Sequence, residues 1–312
     1  MSSATQHVQS EDRDPQQARV SVVIPVRDRP KLVLEAIESA TQQSYPPIEV
    51  IVVDDASELP LALDLTDAAS LTLRLLRLER HSGAAAARNA GVRLAHGTHV
   101  AFLDSDDIWL PSHLERLVKA IEEDSGAVAA YSLCRGRARW PLGTMKLRRV
   151  HARRLGWPSP LWKTPATMVV RDVFLSLEGF EETLTYREDT DLFIRLQEVG
   201  PVMRTGRITV VVRKQPSGLS GQGDSAIRRL RDDYARVVVR QLERARASGK
   251  MRVLDGQKTW REFRRYWTVR WLIKGKFWRA LEEFVGYEET QAPKFSSRLR
   301  RWLRYEVRGT PR

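Results

Sequence analysis

The chain has 312 residues and a mass of 35.7 kDa, with 42% hydrophobic and 29% charged residues. That is enough for one large or two ordinary globular domains, and it excludes a low-complexity, disordered or fibrous chain. The single cysteine, Cys134, excludes a disulfide framework and every multi-cysteine zinc site and points to a reducing compartment. The net charge of +13 lies entirely in residues 224–312, which hold 24 Lys and Arg against 11 Asp and Glu, whereas residues 1–223 balance at 28 against 28.

Residues 1–18 are polar and acidic and lack the apolar stretch of a secretory signal, so a disordered tail is expected there. Val20–Val26 reads as a buried strand, residues 31–43 as a helix with apolar positions three to four apart, and residues 49–53 as a second strand. The pattern repeats: residues 71–78 strand, 83–95 helix, 98–103 strand, 111–123 helix with a proline in its first turn, and 127–133 strand. Residues 135–154 are basic and rich in Gly and Pro, an insertion or mobile loop. Residues 166–171 then read as a strand, Glu188–Val199 as a helix and Val202–Val212 as a returning strand pair. Strands alternating with helices of this length imply a doubly wound, mostly parallel sheet with helices on both faces, binding its ligand at the carboxyl ends of the strands. Composition shifts near residue 223, which divides the chain into a tail (1–18), an α/β domain (19–223) and a basic helical region (224–312) holding five of the nine tryptophans.

The strand ends carry the chemistry. The first ends in Arg27-Asp28-Arg29, the second in Asp54-Asp55-Ala56-Ser57 and the fourth in Asp104-Ser105-Asp106-Asp107. Two carboxylates alternating at one strand end suit a hard divalent cation, Mg²⁺ or Mn²⁺, that keeps water and substrate phosphate in its shell. The same residues also suit an acidic turn that caps the following helix. No glycine fingerprint for dinucleotides and no phosphate loop is present, so a phosphorylated ligand would rest on metal and on basic side chains such as Arg88. In an alanine-rich helix, an arginine such as Arg88 is usually a surface residue or an ion-pair partner.

The succession V-S-V-V-I-P, I-V-V-D-D-A-S, G-A-A-A-A-R-N-A-G, A-F-L-D-S-D-D-I-W-L-P and R-E-D-T-D-L-F-I-R-L resembles the inverting nucleotide-sugar glycosyltransferases of family 2, over about residues 19–220. The resemblance implies a GT-A fold and transfer of a sugar from a nucleoside diphosphate, UDP-linked, to an acceptor hydroxyl on a saccharide or lipid-linked saccharide. It implies donor contacts at Pro25, Arg27, Asp54, Asp55, Arg88, Asp104 and Ser105, with the nucleobase at Asp55, and a cation (Mn²⁺ or Mg²⁺) on Asp104 and Asp106. Among the base candidates Glu188, Asp189 and Asp191, it implies Asp189, with Glu188 second; Asp191 and Arg195 stand four apart, the spacing of an intrahelical ion pair. Where relatives carry an aromatic and Asn after the first-strand proline, this chain has Val26-Arg27-Asp28, so Arg27 either stacks on the base or pairs with Asp28 or Asp55. Gln215 stands where a histidine is usual, which leaves a third protein ligand to the metal unsupported and Arg213 or Lys214 as phosphate partners. His81, where asparagine is usual, reads as a surface histidine.

In the basic region Trp260, Phe263, Trp267, Trp271, Trp278, Leu281 and Val285 recur at helical spacing. This stripe packs on the catalytic domain, or residues 257–304 meet an anionic membrane surface, or both. No nucleic-acid motif accompanies the charge. No apolar run approaches the roughly 18 residues of a membrane span, so the expected location is cytoplasmic, with peripheral attachment at the inner face of the membrane. The rival expectation is a non-catalytic basic scaffold on anionic membrane or polynucleotide.

Overall fold

The computed structural model describes residues 18–63, 71–135, 148–150, 162–213 and 223–247. The expected N-terminal tail, nearly all of the 135–154 insertion, Lys214, Gln215 and the tryptophan stripe with the rest of residues 257–304 lie outside the described residues.

Strands β1 (Val20–Val26) and β2 (Glu49–Asp54) are buried at every position. This is the burial of parallel strands covered on both faces, and it is why their sequences run apolar instead of alternating. With β3 (Thr72–Arg77) and β4 (His99–Phe102) they form the parallel half of the sheet, in the order β3-β2-β1-β4. The sheet continues through β8 (Thr167–Val170), β6 (Ala129–Arg135), β9 (Val202–Val212) and β5 (Asp107–Trp109). On that side β6 and β9 are parallel while β4–β8, β6–β8 and β5–β9 are antiparallel, and the short β7 (Arg148–Val150) also pairs antiparallel with β9. The predicted doubly wound sheet is therefore present, parallel over its first half and mixed over its second.

Helices lie on both faces. Val20, Val22 and Ile24 of β1 pack with α1 (Pro30–Thr41) and α3 (His113–Glu122); Val23 of the same strand faces the other way, with α2 (Ala84–Leu94) and α5 (Glu188–Val199). Pro30 opens α1, where its missing N–H is harmless. The alanines of α2 let it approach the sheet so closely that a Cβ on Gly91 would lie 2.5 Å from the Val23 side chain.

Four local expectations need correction. The acidic turn after β4 contains a strand, β5, because residues 107–109 find β9 as a partner. β9 is one strand of 11 residues, not a strand pair; its break is a bulge against β6 around Gly206, which takes φ 70°. A short helix α4 (Arg171–Ser176) follows β8, and the 135–154 segment contains β7.

The chain divides into two contact units: Met1–Ala152, Pro158–Leu184 and Asp191–Gly218 in the first; Arg153–Trp157, Thr185–Thr190 and Leu219–Arg312 in the second. The described part of the second is residues 185–190 and α6 (Gly223–Ala247), whose buried residues Ala226, Asp233, Tyr234, Val237 and Gln241 form one helical face.

His113 at the start of α3 is fully buried, stacked on Trp109 with ring centroids 4.3 Å apart, and shares a 2.7 Å hydrogen bond between Nδ1 and Thr209 Oγ1. Its Nε2 has no hydrogen-bond partner among the described residues, and burial pushes its pKa down from 6.5 to about 3. The folded state thus holds His113 neutral, so its contribution to stability is complete above pH 6.5 and is lost as pH falls from 6.5 toward 3. In His113→Gln, unfolding takes up about one proton fewer over that window, and denaturant melts at successive pH values should show a shallower acid decline than wild type.

Candidate active site

The parallel half-sheet brings the ends of β1, β2 and β4 to one edge. Val23 O accepts Leu103 N–H on the β4 side and Val26 O accepts Asp55 N–H on the β2 side. Pro25 shares the parity of Val23, so its nitrogen falls on the β4 side just beyond the end of β4, where no ladder bond is lost. Arg27 pairs with Asp28 at 3.3 Å, both about 40% exposed, and Asp55 is held by other donors. Asp28, in the left-handed region at φ 51°, donates its N–H to Ser57 Oγ at 2.9 Å and accepts Glu58 N–H at 2.7 Å. It ties the β1 loop to the β2 loop.

Asp54 and Asp55, the expected base-recognition pair, are engaged by the protein's own donors. Asp54 is fully buried and accepts Ser57 N–H at 3.0 Å, Leu61 N–H at 3.5 Å and the Arg77 guanidinium. Burial alone pushes its carboxyl up; the bonds from Ser57, Arg77 and Leu61 bring the net below the ordinary value. Asp55 accepts Ser82 N–H at 2.7 Å and Gly83 N–H at 2.9 Å, and its Oδ2 is 2.7 Å from His81 Nδ1. His81 is exposed, as expected, yet it is held by Asp55. These contacts fix the loop that leads into α2.

The loop after β4 gathers three carboxylates. Asp104 accepts Arg88 Nη2 at 2.7 Å; Arg88 is 6% exposed, and its guanidinium lies 5.4 Å from the centroid of the Phe180 ring. Phe180 is in turn clamped by the Asn89 amide, through Phe180 N–H to Oδ1 at 2.9 Å and Nδ2 to Phe180 O at 2.8 Å. Asp106 pairs with Arg29 at 3.0 Å, while Ser105 between them is buried. Asp107 accepts Arg213 N–H at 3.1 Å. The Arg213 guanidinium donates through Nε to Asp106 O at 2.6 Å and through Nη1 to Glu35 of α1. Burial and then the neighbouring carboxylates raise two of these acids: Asp106 lies above its ordinary value with Asp104 beside it, and Asp107 is pushed up to about 8 with Asp104 and Asp106 beside it. Among the described residues no group of three His, Cys, Asp and Glu side chains is arranged to hold a metal ion by itself.

In the second unit, Asp189 Oδ1 accepts the N–H of Thr190 at 2.6 Å and its hydroxyl at 3.2 Å. Asp191, in the first unit, is 2% exposed and forms the expected pair with Arg195 at 2.7 Å; Arg195 also donates to Leu177 O and Gly179 O. That pair anchors a turn, the structural role expected of Asp191.

The structure thus joins Arg88 to Asp104 and gathers Asp104, Asp106 and Asp107. Glu35 escaped the sequence reading, and Arg29 and Asp107 were named at their strand ends without a role. Arg29 and Glu35 are distant in sequence from the loop they support, and Asp107 looked like one more acid in a run.

The sheet order and the acidic loop at its carboxyl edge define an α/β protein of the GT-A type. Residues 21–170 match the family described as Glycosyl transferase family 2. An uncharacterized glycosyltransferase of Haemophilus influenzae is 26% identical over 182 residues, 57% of this chain and 61% of that protein. A putative teichuronic acid biosynthesis glycosyltransferase of Bacillus subtilis, TuaG, is 36% identical over 118 residues, 36% of this chain and 47% of that protein. The chain therefore spans less than two thirds of the length of either relative. The crystal structure of S. aureus TarS 1–349 in complex with UDP-GlcNAc superposes with a TM-score of 0.56 at 16% identity, covering 89% of this chain and 94% of that one, a likeness of fold.

The Arg88–Asp104 pair is testable by a double-mutant cycle. Arg88→Met removes the buried counter-charge and should lower stability by about 1–3 kcal/mol, and adding Asp104→Asn should return part of that loss. Chemical denaturation of the four proteins measures the coupling; strict additivity would remove the pair from the account.

Proposed function

We propose that the protein is an inverting glycosyltransferase that moves a sugar from a UDP-linked donor to an acceptor hydroxyl on a saccharide or lipid-linked saccharide, in surface-polysaccharide or glycolipid assembly. The observation that carries this reading is the crowding of Asp104, Asp106 and Asp107 at the carboxyl edge of a family 2 domain, with Arg88 and Arg29 each on one carboxylate. TarS, solved with UDP-GlcNAc, and TuaG, named for teichuronic acid biosynthesis, support the donor class and the kind of pathway.

The loop suits a divalent cation. Each arginine takes one oxygen, Oδ1 of Asp104 and Oδ2 of Asp106, so each acid has a second hard oxygen to offer. Burial and then the repulsion between neighbouring acids raise Asp106 and Asp107, and the repulsion is the kind a cation relieves. Asp104 and Asp106 would hold Mn²⁺ or Mg²⁺, with phosphate and water completing the shell. Such an ion, when bound, neutralises the charge growing on the leaving diphosphate.

The remaining roles belong to the chain's own groups. The Arg27 guanidinium, exposed at the end of β1, offers a flat face to the base, and Pro25, Asp54, Asp55 and Ser105 shape the loops around the nucleotide. The Thr190 N–H and hydroxyl orient Asp189 through Oδ1 and leave Oδ2 to take the acceptor proton. As the acceptor oxygen bonds to the anomeric carbon, the bond to the diphosphate oxygen breaks on the opposite face, and a single displacement inverts the centre. Glu188 is the second candidate for the proton. The basic, tryptophan-rich residues 257–304 are proposed to hold the enzyme at an anionic membrane surface near a lipid-linked acceptor.

Calorimetric titration of UDP with Mn²⁺ tests the donor site: wild type binds, and Asp106→Ala should abolish the metal-dependent part. Asp189→Asn should lower turnover by about 10²–10⁴-fold while leaving UDP affinity within about twofold of wild type. Absence of nucleotide binding together with avid uptake by anionic vesicles would replace the enzyme with the scaffold.

A further inference from the structure

The residues that lead into Glu188 and Asp189 are fixed by α6, which the family match does not reach. Arg187 sits at φ 67°, a left-handed conformation that a non-glycine residue keeps only when its surroundings over-determine it. Two consecutive residues of α6 supply that constraint. Asp233, 5% exposed, accepts on Oδ2 the N–H of Thr185 at 3.1 Å and of Tyr186 at 2.9 Å. Tyr234, 3% exposed, lies with its ring centroid 5.1 Å from the Arg187 guanidinium carbon.

A buried carboxylate in the middle of a helix is unfavourable both by helix propensity and by desolvation. Here it is satisfied by two backbone donors and by Arg236 Nη1 at 3.4 Å on Oδ1. All of these residues belong to the second unit, as do Glu188, Asp189 and Thr190. The chain thus enters α5 through two N–H groups tied to one carboxylate and one strained residue stacked on one ring.

We infer that Asp233, backed by Tyr234, is a positioning residue for the general base: it fixes residues 185–187 and thereby the place of the carboxylates that follow them. The inference rests on the reading of Asp189, with Glu188 second, as the base. It makes α6 part of the catalytic apparatus, with no contact to donor or acceptor required. A base displaced by about 1 Å loses on the order of 10²-fold in rate, so a loosened 185–187 segment should be read in turnover before it is read in donor binding.

The test compares Asp233→Leu, Asp233→Asn and Tyr234→Leu with Asp189→Asn in the full chain. Diphosphonucleoside release from UDP-GlcNAc, UDP-glucose and UDP-galactose with Mn²⁺ gives kcat, UDP calorimetry gives affinity, and hydrogen exchange reads the Thr185 and Tyr186 amides. Asp233→Leu should exchange faster at both amides and lose about tenfold or more in kcat with UDP affinity within about twofold. Asp233→Asn, which keeps an acceptor oxygen, should recover most of the turnover, and a purely structural role would instead lower kcat and affinity together. Should Asp233→Leu not fold, Tyr234→Leu decides by the same split. Wild-type turnover in the Asp233 and Tyr234 variants beside an inactive Asp189→Asn would overturn the inference alone. Wild-type turnover in Asp189→Asn would overturn the base assignment and the inference with it.

Discussion

Like charges held together at the end of β4 set the terms for the rest of this fold. Asp104, Asp106 and Asp107 lie within four residues, Asp107 buried and Asp104 and Asp106 partly exposed. The counter-charges come from three separate places: Arg88 from α2, Arg29 from the β1–α1 turn, and Arg213 from the residue after β9. Each is delivered by a feature of the topology. β1 beside β4 brings Arg29, the close approach of α2 through its alanines and Gly91 brings Arg88, and the antiparallel pairing of β9 with β5 brings Arg213. The mixed half of the sheet is therefore what completes the acidic loop.

Legibility in the sequence follows the same division. The parallel half was readable because its strands are buried on both faces and show as apolar runs between amphipathic helices. β5 was not, since Asp107-Ile108-Trp109 is only three residues long behind an acidic turn and becomes a strand by pairing with Val210, Val211 and Val212. The two acids of the D-x-D pattern were visible at once, and so was the Asp191–Arg195 pair, because its partners are one helical turn apart. Arg29 and Glu35 were hidden: their partners stand 77 and 178 residues away, a separation that no local pattern encodes. The second arises wholly from where β9 ends.

The same distance between partners explains why residue type alone could not sort the aspartates into those that hold loops and those that crowd one another. Asp28, Asp54, Asp55 and Asp233 all accept backbone N–H groups, the first three from residues 57–61 and 82–83 and the last from residues 185–186. For Asp54, and likewise for Glu49 at the opposite ends of the strands, such donors outweigh burial and stabilise the charged form. Asp106 and Asp107 face other acids, and there burial and repulsion act in the same direction.

An acid whose oxygens are filled by amides is a staple, whereas one that crowds its own kind has its charged form disfavoured. The distinction depends on which donors the fold delivers, so it becomes readable only after the chain has closed on itself. It also accounts for a buried aspartate inside α6, in a helix with a strongly basic sequence. Arginine at position 233 would have suited the composition, but only an acceptor can hold two consecutive amides and keep Arg187 in its left-handed turn.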